Sequence, residues 1–333
     1  MTDENRCCTS KVLVVGAGAI GGFYGALLAK AGAEVSVVCR SDYEHVKQQG
    51  FIIDSRTLGT WTFKPSQVLS NAADYKGAAD YVLLCTKVIP SVNRVALIRP
   101  AVSADTAIVF IQNGVEIEQE ILAAFPDNEI ISGLAFICCN RVKPGEILHL
   151  AYGRLALGNL PGAVSHKTTQ LCELFRQSGI DCTATENIVT ERWKKCVWNA
   201  PFNPLSVLSG GLPTLAILQS QEAFVRSIMQ EICNIAEACG HRLSDHIVNA
   251  NIENTYAMPP YKTSMLLDYE NGHPMETEAI LGNAVRAAKR LEVACPHLES
   301  VYALMKLREL QLAELDKKYN PQYREPVSRR PDD

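Results

Sequence analysis

Lys195, Asn199 and Asn203 recur at intervals of four residues in a segment that is more polar than an ordinary core helix. On an α-helix these positions form one stripe that drifts by only about 40° per step. A cation and two amides in line can bind a single polar ligand. The alternative is a solvated polar face, which is the expected role of the neighbouring Lys194.

Ser264 and Glu276 form a second group of polar residues in the same half of the chain. A serine at such a position is commonly only a helix cap, and a glutamate in the first turn of a helix is commonly only a partner of the helix dipole. Both residues fall in the same predicted domain as Lys195. Their presence there favours a polar ligand site over a solvated helix face.

A glycine-rich loop follows the apolar run 11–15 and precedes a helical pattern. Gly16 lets the chain turn sharply out of the strand, Gly18 leaves room for a pyrophosphate, and Gly21 lets the helix lie close to the sheet. The free amides at the start of the helix would then face the phosphates. A tight turn without a ligand is the alternative, and it explains the glycines less well. The predicted cofactor contacts in this loop are Gly16, Ala17, Gly18, Ala19, Ile20 and Gly21.

Arg40 follows a second apolar run, 35–39, at a place where an NAD-specific site usually has an acidic residue. A guanidinium group there can bind the 2′-phosphate of NADP(H) through charge-assisted hydrogen bonds. The alternative is a solvated loop cation. The glycine loop and Arg40 together predict NADP(H) as the cofactor.

Two further polar residues follow predicted strands of the same region. Lys87 comes directly after the apolar run 81–86, and Asn113 follows the run 107–111. Both positions lie at the carboxyl ends of strands, where doubly wound sheets bind ligands. The alternatives are a solvated loop lysine and, for Asn113, an ordinary turn.

The N-terminal half of the chain has the pattern of a doubly wound Rossmann-type domain. Strand-like runs alternate with helical patterns over residues 11–186, and a helix is expected at Val115–Phe125. After this alternation we expect antiparallel strands that extend the same sheet, at 130–139, 146–150 and 154–157.

From residue 187 the periodicity becomes helical, which predicts an all-helical second domain over 187–318 that binds the substrate. Its long helices are expected at 223–239, 276–291 and 301–314. The polar ends, residues 1–10 and 319–333, are predicted to be disordered.

The composition is that of a globular protein with no obvious macromolecular partner. The chain has 333 residues, 47% of them hydrophobic and 20% charged, and its net charge of −4 offers no basic surface for nucleic acid. The twelve cysteines form no CxxC pair, which is typical of a reducing cytoplasm, and the seven histidines show no metal-ligand spacing. The glycines in the apolar run 12–29 fit a cofactor loop rather than a membrane span. We therefore expect a cytoplasmic protein, with a homodimer left open.

The chain resembles the ketopantoate reductase (2-dehydropantoate 2-reductase) family from about Lys11 to Lys317. The segments that carry the resemblance are the glycine loop 16–22 with Arg40, the strand end Thr86-Lys87, Gln112-Asn113-Gly114, the segment 193–205, and Ser264-Met-Leu-Leu-Asp268 with Glu276. The resemblance implies that Lys195 is the catalytic lysine and Glu276 the active-site glutamate. It implies substrate contacts at Asn199, Asn203 and Ser264, and cofactor contacts at Arg40, Lys87 and Asn113.

Three positions complicate this assignment. Glu278 is a rival for the active-site glutamate because it also follows a threonine, although the spacing from Ser264 favours Glu276. Tyr261 stands where the best-known members of the family have an asparagine. A further substrate asparagine of the family has no clear match, because Gly-Gly-Leu-Pro occupies residues 210–213.

The activity that the resemblance implies is the reduction of 2-dehydropantoate to pantoate by NADPH. Lysine suits this reaction because its ammonium group, charged at neutral pH, can polarise a carbonyl and donate a proton. One alternative is the reduction of another bulky 2-oxo acid, with Tyr261 reshaping the pocket. A second is a non-catalytic NADPH-binding sensor, against which the presence of Lys195 and Glu276 argues.

Overall fold

The computed structural model describes residues 9–258 and 262–319, and the side chains of 9–258 and 262–315. The chain forms two compact units, of which unit 1 ends at Trp193 and unit 2 begins at Lys194. This division falls inside a long helix, Ile188–Leu208, whereas the sequence predicts a boundary at residue 187. Of the ends predicted to be disordered, 1–8 and 320–333 lie outside the described residues.

Unit 1 contains a single ten-stranded sheet. Its strands are β1 (Lys11–Val15), β2 (Glu34–Val38), β3 (Phe51–Ser55), β4 (Gly59–Phe63), β5 (Val68–Leu69), β6 (Tyr81–Leu84), β7 (Ala107–Ile111), β8 (Ile130–Lys143), β9 (Glu146–Leu160) and β10 (Cys182–Ala184). Parallel neighbours run in the order β5-β2-β1-β6-β7-β8, as in a doubly wound fold. The loops after β1, β6 and β7 therefore leave the sheet at the same edge.

The second part of the sheet extends beyond β8. The long strand β9 pairs antiparallel with β8 and parallel with β3, and β4 closes the edge beside β3. The sequence predicts two strands in place of β9, separated near Tyr152 and Gly153. The chain instead continues through a bulge there, with Tyr152 at φ 65°.

Helix α1 (Ala19–Lys30) lies between these two parts of the sheet. A Cβ at Gly25 would approach Val14 of β1 to 3.2 Å, whereas a Cβ at Gly22 would lie 2.3 Å from Ile147 of β9. The helix is apolar all round because both of its faces are buried. The glycines allow the close approach on each side, which fixes the start of α1 relative to β1.

Among its described residues, unit 1 contains four further α-helices and the beginning of a fifth. They are α2 (Tyr43–Gln49), α3 (Arg94–Ile98), α4 (Gln119–Ala124) and α5 (His166–Gln177), and α6 (Ile188–Leu208) begins here and continues into unit 2. The expected helix Val115–Phe125 starts only at Gln119. Glu116 has φ 50°, which is not helical, and the carbonyl of Gly114 and the carboxylate of Glu118 are engaged by Arg192.

Unit 2 is entirely helical in its regular structure over residues 194–258 and 262–319. After α6 it contains α7 (Thr214–Ala238), α8 (Ile247–Ala257), α9 (Ser264–Glu270), α10 (Asn283–Arg290) and α11 (Pro296–Tyr319). α7 starts earlier than predicted and breaks at Gln221 (φ −134°). The helix predicted at 276–291 is present as continuous helical structure over 277–290, and its first part is a π-helical turn at Glu278–Gly282 that leads into α10.

The predicted fold class, a Rossmann-type domain followed by a helical domain, is confirmed. The hairpin of β3 and β4 was not predicted. Within the described residues, no helix is long and apolar enough to cross a membrane.

Candidate active site

The glycine loop of unit 1 is shaped by close contacts with its neighbours. Gly16 has φ 92°, and a Cβ there would lie 2.8 Å from the backbone nitrogen of Thr86. The amides of Gly16 and Ala17 both donate to the carbonyl of Val38, at 3.3 Å. A Cβ at Gly21 would come within 2.4 Å of the Gly16 carbonyl oxygen. Only glycine satisfies these positions, so the loop is held tightly against β1, β2 and β6.

Gly18 differs from the other loop glycines because a Cβ at this position would meet nothing within 4 Å. It is the N-cap residue of α1, and it offers no side chain to the free amides of the first helical turn. That turn also contains no acidic residue. Open space in front of an uncompensated helix N-terminus fits a bound phosphate group, so this loop fits the dinucleotide that the sequence predicts.

Two thiols pack around the start of α1. The Sγ of Cys139 donates to the Ala19 carbonyl at 3.6 Å, and the Cβ of Cys85 lies near the position that a Gly21 side chain would occupy. Burial raises the pKa of each of these thiols to about 12. Both are therefore protonated at neutral pH and place no negative charge beside an incoming phosphate.

Lys87 and Asn113 both lie in loops at the carboxyl edge of the sheet, and both are half-buried. The side chain of Gln112 joins these loops, because its amide Nε2 donates to the Thr86 carbonyl. Arg94 in turn donates to Oε1 of Gln112 at 3.1 Å. A buried hydrogen-bond network thus connects the chain before Lys87 to the chain before Asn113.

Arg192 is a second buried cation that holds the Asn113 loop. Its side chain is fully buried, and it donates to the carbonyls of Gln112 (2.8 Å) and Gly114 (3.2 Å). It also donates to the Ser132 hydroxyl at 2.8 Å and lies 3.2 Å from a carboxylate oxygen of Glu118. No role is predicted for Arg192 from the sequence, because nothing local distinguishes it from Lys194 and Lys195.

Arg40 is exposed in the loop that follows β2. The next residues of this loop, Ser41 and Asp42, accept hydrogen bonds from Arg141 at the far end of β8. Arg141 could not be connected to this loop from the sequence, since it lies about a hundred positions from Ser41 and Asp42 in the chain.

In unit 2, the polar stripe of α6 is only partly exposed. Lys195 is half-buried, and the exposed fractions of Asn199 and Asn203 are 7% and 2%. A solvated polar face would leave the two asparagines open to water, so their burial argues against that alternative. Lys194, which was expected to lie on a solvated face, is half-buried as well, so exposure does not distinguish it from Lys195. Pro201 and Pro204 lie inside the helix, and each removes one backbone hydrogen bond near the two asparagines.

Two contacts bring the other candidate residues of unit 2 to α6. The Sγ of Cys196, next to Lys195, donates to the carbonyl of Ile280 at 3.6 Å. The hydroxyl groups of Ser206 and Thr263 lie 2.8 Å apart, and both are buried. The first contact connects α6 to the π-helical turn after Glu276, and the second connects it to the residue before Ser264.

Ser264 is exposed at the first position of α9, but it does not cap the helix. Thr263 is the N-cap residue, and its hydroxyl accepts from the Leu266 amide at 3.1 Å. The interpretation of Ser264 as a simple cap is therefore wrong. Its hydroxyl is left for another role.

The two candidate glutamates have different surroundings. Glu276 is 9% exposed, two residues before the π-helical turn begins at Glu278. Glu278 forms ion pairs with Arg286 (2.8 Å) and Lys306 (2.9 Å) and accepts from the Tyr302 hydroxyl. Burial opposes ionisation of Glu278, but these three hydrogen bonds outweigh it and lower its pKa to about 2. Glu278 is thus a permanently charged partner of two cations, which suits a structural role.

The described residues contain no group of three or more His, Cys, Asp or Glu side chains that could hold a metal ion. Tyr261, the residue at which the sequence departs from the pattern of the resembled family, lies outside the described residues.

Comparison with known proteins gives consistent matches over nearly the whole chain. The family model described as ketopantoate reductase PanE/ApbA matches residues 12–162, and the model of the PanE/ApbA C-terminal domain matches residues 187–309. A 2-dehydropantoate 2-reductase from Nostoc sp. is 34% identical over 302 residues, which cover 89% of this chain and 94% of that protein.

Solved structures agree with these sequence matches. A crystal structure of 2-dehydropantoate 2-reductase from Methylococcus capsulatus is 62% identical, with a TM-score of 0.88, and the match covers 91% of this chain and 98% of that one. D-mandelate dehydrogenase in a ternary complex with NADH and anilino(oxo)acetate has a TM-score of 0.81 over 91% of this chain and 99% of that one. It is 22% identical, so the likeness concerns the fold alone.

Proposed function

The chain belongs to the ketopantoate reductase family, and from this premise we propose that it reduces 2-dehydropantoate to pantoate with NADPH as the hydride donor. The observation that carries the proposal is the arrangement in unit 2. A half-buried lysine and two buried asparagines share one stripe of α6, and direct contacts connect α6 to the segments of Glu276 and Ser264.

Unit 1 supplies the cofactor contacts in this proposal. The open space at Gly18 and the free amides of α1 would accept the pyrophosphate, and Arg40 would bind the 2′-phosphate. Lys87 and Asn113 would contact the cofactor at the carboxyl ends of β6 and β7. When bound, NADPH supplies a hydride to the keto carbon of the substrate.

Unit 2 supplies the substrate contacts and the proton. The Lys195 ammonium would polarise the keto group and donate the proton that the new alkoxide requires. Glu276 would orient Lys195 and the substrate hydroxyl. Asn199 and Asn203 would bind the hydroxyl and oxo groups, and Ser264 the carboxylate. One hydride and one proton convert the 2-oxo acid into the 2-hydroxy acid.

A second substrate class remains a candidate because of Tyr261. A phenol ring in place of an amide would favour a bulkier or aromatic 2-oxo acid. A site that binds a substrate hydroxyl rejects analogues that lack this group more strongly than an apolar pocket does. The test is steady-state oxidation of NADPH with 2-dehydropantoate, its deoxy analogue and an aromatic 2-oxo acid, in the wild type and in Tyr261→Asn.

We expect 2-dehydropantoate to give the highest kcat/KM in both proteins, and by a larger margin in Tyr261→Asn. A wild type that prefers the aromatic acid, and loses this preference in Tyr261→Asn, would assign the protein to the second substrate class. Tight NADPH binding without turnover of any 2-oxo acid would support the sensor instead.

A further inference from the structure

The loop after β2 contains a buried acidic group close to Arg40. Asp42 is 2% exposed, and both of its carboxylate oxygens accept hydrogen bonds. Oδ1 accepts from the Ser41 hydroxyl at 2.8 Å and from Arg141, and Oδ2 accepts from the Gly145 amide at 3.1 Å. The carboxylate is therefore fixed in place two residues after Arg40.

Arg141 reaches this loop from the end of β8, where the chain turns back through Pro144 and Gly145. Its Nη1 donates both to Asp42 and to the Ser41 hydroxyl, at 2.7 Å from the latter. Within the described residues, Nη2 and Nε make no hydrogen bond. The Arg141 side chain as a whole is 32% exposed, so a ligand can reach it from solvent.

An acidic residue at the end of the second strand is the feature by which dinucleotide sites select the unphosphorylated ribose of NAD. A bare carboxylate at Asp42 would repel the 2′-phosphate that Arg40 is expected to bind. The Arg141 guanidinium cancels this charge and brings a second cation to Ser41, the residue beside Arg40. The planar fork of an arginine also suits a phosphate better than the point charge of a lysine does.

We propose that Arg141 is a second determinant of cofactor specificity, which neutralises Asp42 and donates hydrogen bonds to the 2′-phosphate of NADP(H). The inference rests on the proposed function in one respect, since it takes Arg40 as the first phosphate ligand. The preference for NADPH would then depend on Arg141 of β8 as well as on Arg40, which follows β2.

The experiment measures the dissociation constants of NADPH and NADH by calorimetry, and compares their ratio between variants. In Arg141→Gln we expect NADPH to bind about 10- to 100-fold more weakly, as for the loss of a hydrogen bond to a charged group, and NADH to change less than about threefold. Lys143→Gln is the matched control, because it removes an exposed cation of the same hairpin that pairs with Glu146. It should change both constants less than about twofold.

The charge of Asp42 is tested separately. Arg141→Gln leaves a buried carboxylate without its cation, which can impair folding, whereas Asp42→Asn/Arg141→Gln leaves no unpaired charge. We expect the double variant to recover part of the NADPH affinity that Arg141→Gln loses, and to stay below Asp42→Asn alone. If Arg141→Gln fails to fold, the comparison of Asp42→Asn with the double variant decides, and equal NADPH affinity in the two overturns the proposal.

The Arg40→Ala variant separates the role of Arg141 from that of the whole cofactor site. Arg40→Ala should also lower the preference for NADPH by about 10- to 100-fold. A wild type without this preference, or an Arg40→Ala variant that retains it, contradicts the proposed cofactor site itself. A preference that depends on Arg40 but survives in Arg141→Gln, or falls equally in Lys143→Gln, overturns only the role of Arg141.

Discussion

Replacement of Arg192 by methionine should destabilise unit 1 more than any single surface change. The guanidinium is fully buried and donates to one hydroxyl and three carbonyl oxygens at 2.8–3.2 Å, and it lies beside the carboxylate of Glu118, whose side chain is 5% exposed. It also stacks over the ring of Phe110, at 4.9 Å. Methionine would keep the approximate volume but satisfy none of these acceptors.

The expected loss of stability follows from the Glu118 carboxylate, which Arg192→Met leaves buried without its cation. Removal of one partner of a buried ion pair costs about 3–5 kcal/mol, because the other charge remains uncompensated. This is a large part of the roughly 5–15 kcal/mol by which a domain is stable. Glu118→Gln in the same background removes the stranded charge and should recover part of the loss, while the carbonyls of Gln112 and Gly114 stay without their donor.

Urea unfolding followed by tryptophan fluorescence provides the assay, since Trp193 is buried directly beside Arg192. Arg176→Met is the matched control: its ion pair with Glu173 is half-exposed and its hydrogen bond to the Cys182 carbonyl is part-buried, so we expect a loss of about 1 kcal/mol. A loss in Arg192→Met no larger than that of the control would refute this reasoning. So would a Glu118→Gln/Arg192→Met variant less stable than Arg192→Met.

Two further predictions concern catalysis and pH. Lys195→Ala should fold and bind NADPH but lose about 10²–10⁴ in kcat, whereas Lys194→Ala, about 100° away on α6, should be nearly silent; reversed effects in steady-state assays would show that our assignment of the lysine is wrong. Burial lowers the pKa of His149 below its ordinary value of 6.5, although hydrogen bonds to backbone carbonyls oppose the shift. Because the unfolded state then binds the proton more tightly, the free energy of unfolding should fall as the pH drops through 6.5 towards the lower folded pKa, by at most about 1.4 kcal/mol per pH unit. Unfolding at several pH values checks this, and His149→Gln should show a smaller slope; an equal slope in both proteins would exclude His149 as the cause.

The features that could be predicted from the sequence are those encoded within a short stretch of chain. The glycine loop, the strands on either side of it and the stripe of Lys195, Asn199 and Asn203 each follow from local spacing and the geometry of a helix or strand. The assignment of chemical roles to these residues stays a prediction. The structure adds the surroundings of the two candidate glutamates: Glu276 is buried, whereas Glu278 forms ion pairs.

The features that were missed depend on contacts between distant parts of the chain. Asp42 has an ordinary loop sequence around it, and only the β8–β9 hairpin brings Arg141 to its carboxylate. The apolar pattern of Val115–Phe125 fits a helix, but buried Arg192 draws Gly114 and Glu118 into a loop. Tertiary contacts of this kind override local propensity, and the sequence of the affected segment does not predict them.

The glycines of the loop after β1 are required for different reasons. At Gly16 and Gly21 a side chain would clash with neighbouring backbone atoms, so the fold itself requires glycine at both positions. A methyl group at Gly18 would touch nothing in the protein, and its φ of −79° is open to any residue. In the proposed cofactor site, a bound phosphate rather than the fold would therefore keep position 18 small. In a relative that keeps Gly16 and Gly21 but replaces Gly18, we therefore expect the fold to persist while cofactor binding weakens.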